Sequence, residues 1–186
     1  MTDFLRSRRY GECLIILNNG HTALSPGGVS GGRTEYGECA RLINAVSKCL
    51  EGLPVKITEG TKGYSDEGLL FVFHKGTSEK NKKNGGAEIF VSADACARTQ
   101  YNAYRMLTAL CGENGYRYRG VHTLTEKSPF RRLFTRDNED AYLIKAGYID
   151  CPADGKVPDR PSESAVCALS REIMRIYKEK INEDYS

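Results

Sequence analysis

Apolar positions along the chain fall into two kinds of run that alternate: short unbroken runs and longer runs with helical spacing. CLIIL (13–17) and LLFVFH (69–74) are of the first kind, PVKIT (54–58) and AEIFVS (87–92) are short runs broken by Lys56 or Glu88, and all four predict strands. LLFVFH is apolar up to its final histidine, as expected of a strand covered on both faces. GVHTL (120–124) and AYLIKAGYI (141–149) predict two further strands. Between them, Glu35 to Leu50 repeats Cys39, Leu42, Ile43, Val46, Cys49 and Leu50 along one helical face. A second helix, expected over 95–111 with Asp94 as its cap and Gly112 as its stop, carries Ala97, Tyr101, Tyr104, Leu107 and Leu110. A third, over 162–180, turns Val166, Leu169, Ile173 and Ile176 inward. Strands alternating with helices predict an α/β fold with a largely parallel central sheet flanked by helices. No Pro/Ser-rich linker or repeat divides the chain, so one domain is expected over 1–186, its core running from about 13 to 180. In such sheets ligands bind beyond the C-terminal ends of the strands.

Composition removes alternatives more than it adds any. With 186 residues, 40% of them hydrophobic and 27% charged, the chain has enough apolar surface for a real core. No apolar run approaches the ~20 residues of a membrane span. The basic N-terminus is followed by an apolar stretch too short for a signal-peptide core, so a cytoplasmic protein is expected, released at lysis if it serves a phage. Net charge is +3, and the basic residues form short separate groups (Arg6/Arg8/Arg9, Lys80/Lys82/Lys83, Arg117/Arg119, Arg131/Arg132/Arg136). That distribution reads as solvated surface, and no nucleic-acid polymer or membrane is expected as a partner. Seven cysteines without a CxxC pair form neither a disulfide framework nor a thiolate zinc site. Five of them (Cys39, Cys49, Cys96, Cys111, Cys167) fall in helical segments, where a reduced thiol acts as a small hydrophobe.

Chemistry is concentrated in three residues. His21 lies just past the first strand, His74 closes LLFVFH, and Glu35 opens the first helix, so all three are expected at one edge of the sheet. Two imidazoles and a carboxylate leave an open position on Zn²⁺, as in hydrolytic zinc sites. Taken singly these residues have ordinary uses. A histidine ending a strand hydrogen-bonds within the fold, and a glutamate in a first helical turn answers the helix dipole. His122, inside GVHTL, has no comparable placement.

The surrounding sequence resembles the opening of the zinc-dependent N-acetylmuramoyl-L-alanine amidases (the amidase-3 family). Those proteins read strand, D-x-G-H, glycine-rich loop, then a helix whose first Glu is a zinc ligand. Here the pattern is LIIL, Asn18-Asn19-Gly20-His21, a loop ending in SPGGVSGG, and Glu35. LLFVFH resembles the strand ending in the second zinc histidine, NGGAEIFVS the following Gly-x-E strand, RGVHTL the segment after the next helix, and AYLIKAGYID the last strand, L-[IV]-E-x-G-F-[IL]. The order is kept from about Cys13 to Tyr177. The resemblance implies Zn²⁺ held by His21, Glu35 and His74.

The same strand carries the main departure. The family's catalytic Glu, which takes a proton from the attacking water and passes it to the leaving amine, is replaced by Lys145. Glu88 matches a strand position to which no catalytic part is assigned. Asn18 stands where the family has Asp, altering an expected outer partner of a metal ligand. Two functions follow. One is an amidase-like protein acting on peptidoglycan, as a phage lysin or bacterial wall hydrolase, with proton transfer weakened. The other is an inactive amidase fold that holds a wall fragment or an anionic small molecule such as a nucleotide signal. Lys145, joined by Arg131, Arg132 and Arg136, would supply the positive charge.

Overall fold

A computed structural model describes residues 13–60, 68–77, 85–112, 116–124, 128, 130, 140–152, 154 and 162–183. Six strands form one sheet in the order β4-β1-β5-β8-β6-β7. They are β1 (Ile15–Asn19), β4 (Val55–Glu59), β5 (Leu69–Gly76), β6 (Ala87–Val91), β7 (Tyr118–Thr123) and β8 (Ala141–Tyr148). Each lies within about two residues of a strand expected from the apolar runs. β2 (Val29–Ser30) and β3 (Arg33–Thr34) form a small antiparallel hairpin inside the glycine-rich loop, which periodicity does not reveal. Among the described residues the long helices are α1 (Glu35–Cys49), α2 (Ala97–Leu110) and α3 (Glu163–Glu183).

Four of the five pairings in the sheet are parallel; β6 runs antiparallel to β8 and carries β7 along with it. This reversal brings the start of β6 to the same edge as the end of β5. Alternation then sorts the side chains. Ile15, Leu17, Leu69, Phe71, Phe73, Ile89, Tyr142 and Ile144 enter the main core, which all three helices cover. Ile16, Leu70, Val72, Leu143 and Phe90 face the opposite side, where Leu124 and Phe130 pack on them. His74, Lys145 and Glu88 share the parity of this second side.

Three expectations for the helices are corrected. Cys49 is exposed, because the α1 stripe ends at Val46 and Leu50. Tyr101 and Tyr104 are more than half exposed. The buried face of α2 is instead Thr99, Asn102, Ala103, Met106, Leu107 and Leu110. Asn102 is drawn inward because it donates to the Tyr142 hydroxyl at 3.3 Å and accepts from Arg175 at 2.7 Å. Cys96 rather than Asp94 occupies the cap position of α2, with no side-chain capping bond.

Candidate metal centre

The local sequence around each of the three residues fixes it at the sheet edge. Beyond β1 the chain is held by Gly20, whose N–H donates to the Phe73 carbonyl at 2.9 Å, and by the His21 N–H, which donates to Asn19 Oδ1 at 3.2 Å. Thr34 caps α1 by accepting from the Gly37 N–H at 3.0 Å, so Glu35 is the first helical residue. The glycine-rich loop is tied to that helix start by Glu35 N–H to Gly28 O (3.1 Å) and Tyr36 N–H to Pro26 O (3.0 Å). His74 sits near the end of β5, its ring between His21 (4.4 Å between centroids) and the edge-on Phe130 (4.8 Å).

His21 Nε2 lies 2.6 Å from Glu35 Oε2, and His74 Nε2 lies 3.6 Å from the same oxygen. One ligand atom from each of the three falls within 4.8 Å of the others. These are the donor types zinc takes, and they are largely buried. Burial, with the charges of His21 and Lys145 adding to it and Glu35 opposing, lowers the pKa of His74 to about 4, so its ring is neutral near pH 7 with a lone pair to give. The loop is shaped to the group. A Cβ on Gly27 would come within 2.5 Å of the His21 ring, and one on Gly28 within 2.8 Å of Glu35 Oε1. The three side chains fit a zinc ion.

Gly27 also has φ of 73°, a region costly to any residue with a Cβ. Gly27→Ala is therefore expected to displace His21 and lower zinc content severalfold without touching a ligand. Metal analysis of the purified variant checks this, and zinc content equal to wild type would refute the cradle.

From His74 a row of polar side chains crosses the second side of the sheet, the face that Leu124 and Phe130 cover in part. Lys145 on β8 is the register neighbour of His74 on one side and of Glu88 on the other. Its Nζ is 3.2 Å from Glu88 Oε1. Two sheet irregularities complete the row. A register shift between β6 and β7 sets Arg119 and Gly120 opposite Glu88, and Arg119 Nε lies 3.6 Å from Glu88 Oε2. Another between β5 and β8 turns Tyr148 inward, where its hydroxyl donates to Glu88 Oε1 at 2.8 Å. Gly76 makes room, since a Cβ there would lie 2.5 Å from the Tyr148 ring and 2.7 Å from Lys145 Cε. Lys145 and Arg119 both sit over that ring, at 4.7 and 5.3 Å from its centroid. Burial pushes the Glu88 carboxyl up, but the Tyr148 hydrogen bond, Lys145 and Arg119 outweigh it and hold the group below its ordinary value.

Of the residues named from sequence, the structure brings His21, Glu35 and His74 together and places Lys145 beside them. Arg131, Arg132 and Arg136 lie outside the described residues. Asn18 does not back a ligand: it is buried and donates to Thr58 Oγ1 (3.0 Å) and the Gly60 carbonyl (3.2 Å), on the β4 side. The side chain bonded to a ligand's backbone is Asn19. His122 is not one of the three; its Nε2 is 3.6 Å from Glu88, at the far end of the row. Sequence reasoning missed Glu88, Tyr148 and Arg119. The available signal was one opposite charge in each of two otherwise apolar strands, the mark of a cross-strand ion pair.

Neither a family model nor any of the curated proteins matches the chain. Solved structures do. Similar to it are the N-acetylmuramoyl-L-alanine amidase AmiC2 of Nostoc punctiforme (16% identity, TM-score 0.69, covering 90% of this chain and 98% of that one) and a putative N-acetylmuramoyl-L-alanine amidase from Neisseria meningitidis (20%, 0.70, 89% and 96%). The catalytic domain of an endolysin targeting Clostridia difficile is also similar (16%, 0.65, 88% and 98%). Among the described residues no helix is long and apolar enough to cross a membrane. With its mostly parallel six-stranded sheet, three flanking helices among the described residues and a His-Glu-His group at the sheet edge, the chain is a single α/β domain with the N-acetylmuramoyl-L-alanine amidase fold.

Proposed function

We propose that this protein is a zinc-dependent N-acetylmuramoyl-L-alanine amidase-like protein that engages peptidoglycan, with its proton-transfer step impaired. The observation that carries the proposal is the convergence of His21, Glu35 and His74 within 4.8 Å on this fold. Zinc bound by these three would polarise the carbonyl of the amide joining the muramoyl lactyl group to L-alanine. The remaining work falls to the chain's own side chains. Lys145 stands where the strand resemblance puts the proton acceptor. Its ammonium, paired with Glu88 at 3.2 Å, donates hydrogen bonds and has no lone pair to accept a proton. Glu88 is a poor replacement, because a carboxylate saturated by Tyr148, Lys145 and Arg119 is a weak base. The group best able to hold a substrate is therefore not matched by one able to turn it over.

Lys145 also favours a second reading, an inactive amidase fold holding an anionic small molecule such as a nucleotide signal, since an ammonium beside a metal site attracts phosphate. Sedimentation with purified insoluble peptidoglycan separates the two. The zinc-loaded protein is expected to co-sediment, to release little muramoyl-linked peptide, and to be freed by a chelator. Protein that stays in the supernatant and carries a phosphate-containing small molecule from cells would overturn the first reading in favour of the second.

A further inference from the structure

Cys49 and Cys167 are 118 positions apart in sequence, yet their sulfur atoms lie 3.8 Å apart at the protein surface. Cys49 is the last residue of α1 and is exposed; Cys167 lies near the start of α3 and is partly exposed. Both thiols are free. The contact is set by the packing of α1 on α3, so it belongs to the folded core rather than to a loop. Other cysteines differ in kind. Cys39 and Cys151 are buried. Cys96 is exposed, and the Thr99 hydroxyl, 3.3 Å away, holds its thiol below the ordinary value. It can therefore react with a small disulfide, but its near neighbour is a hydroxyl rather than a second sulfur. A disulfide requires the two sulfurs at about 2.05 Å, so closing this pair brings them ~1.8 Å nearer.

We propose that Cys49 and Cys167 form a redox pair that a low-molecular-weight disulfide, such as oxidised glutathione, converts to an intramolecular disulfide tying α1 to α3. The Cys49 thiolate attacks one sulfur of the small disulfide, forming a mixed disulfide and expelling one small thiolate. The Cys167 thiolate then attacks the Cys49 sulfur and expels the second. The protein loses two protons and two electrons, and the small disulfide is reduced to two thiols. Cys49 reacts first because it is the more exposed of the two and because its hydrogen bond, with some burial and the charge of Glu163, holds the Cys167 thiol above its ordinary value. The bond closes a loop that contains β4 to β8 and α2, so it restricts most of the unfolded chain. It should raise the thermal midpoint by about 10 °C.

The test treats reduced, full-length protein with oxidised glutathione and follows it by intact mass, non-reducing peptide mapping and thermal melting. The expected product contains a peptide linking Cys49 to Cys167 that is two hydrogens lighter than the two separate peptides, melts higher, and reverts with dithiothreitol. Cys49→Ser and Cys167→Ser, both at accessible positions, should each stop at a glutathione adduct on the remaining cysteine and show no rise in melting temperature. Wild-type protein that ends with separate adducts on both cysteines, that links a different pair, or that does not react at either position would overturn the proposal.

Discussion

Lys145→Glu is expected to raise the release of muramoyl-linked peptide from purified peptidoglycan by about 10²–10⁴-fold, the usual contribution of a positioned general base. The substitution returns a carboxylate to the β8 position beside His74. It also removes the ammonium 3.2 Å from Glu88 and leaves two carboxylates facing each other in a partly buried row. Like charges at that range push one carboxyl upward. The new Glu acts as a base only when ionised, so the rate of the single variant should climb with pH through that raised value. Adding Glu88→Gln removes the competing charge while leaving an acceptor for the Tyr148 hydroxyl. In the double variant the climb should move to lower pH. Mass spectrometry of the released fragments across pH provides the measurement. Robust hydrolysis by wild type, unchanged or abolished by Lys145→Glu, would show that the base lies elsewhere and end the impaired-amidase reading. If the protein instead retains an anionic molecule, the same substitution should weaken that retention, because an attractive charge becomes repulsive.

His74→Ala should reduce zinc from about one per chain to a small fraction, with affinity falling by more than about 100-fold. Loss of even an outer partner of a metal ligand costs about 10–100-fold, and His74 supplies a ligand atom directly. Its ring is neutral near pH 7 and is fixed between His21 and Phe130, so no other imidazole among the described residues can swing into its place. His122→Ala is the matched control. Its ring lies at the Glu88 end of the row, and zinc content should not change. Metal analysis after gel filtration, with circular dichroism to show that the variant is folded, decides the matter. Full zinc content in folded His74→Ala protein would refute the His-Glu-His centre.

Much of this molecule follows from local pattern. The apolar runs place all six strands of the sheet, and helical spacing places the three helices, because burial on one or both faces leaves a periodic trace in the chain. The core face of α3 and the apolar run of β5 are read in the same way. His21, Glu35 and His74 were legible because each sits at an element boundary that sequence marks: the end of a strand, the start of a helix, the end of another strand. Parallel topology carries those three boundaries to one edge.

Apart from Lys145, what lies beside them was decided by tertiary structure. In a fully parallel sheet the start of the 87–91 strand would lie at the opposite edge, remote from His74. β6 runs antiparallel to β8, and that reversal sets Glu88 beside Lys145 and brings Arg119 after it. Strand direction and register depend on contacts between segments far apart in sequence, which a local pattern does not encode. The same holds for Asn18 and Asn19. The D-x-G-H likeness points to the first, but within β1 the Asn18 side chain bonds to Thr58 on the neighbouring β4, and it is Asn19 that accepts from the His21 N–H. It holds also for Cys49 and Cys167, whose contact exists only because α1 and α3 pack together. Composition and periodicity set which residues are buried and where chemistry can gather; the direction of one strand set which charges meet there.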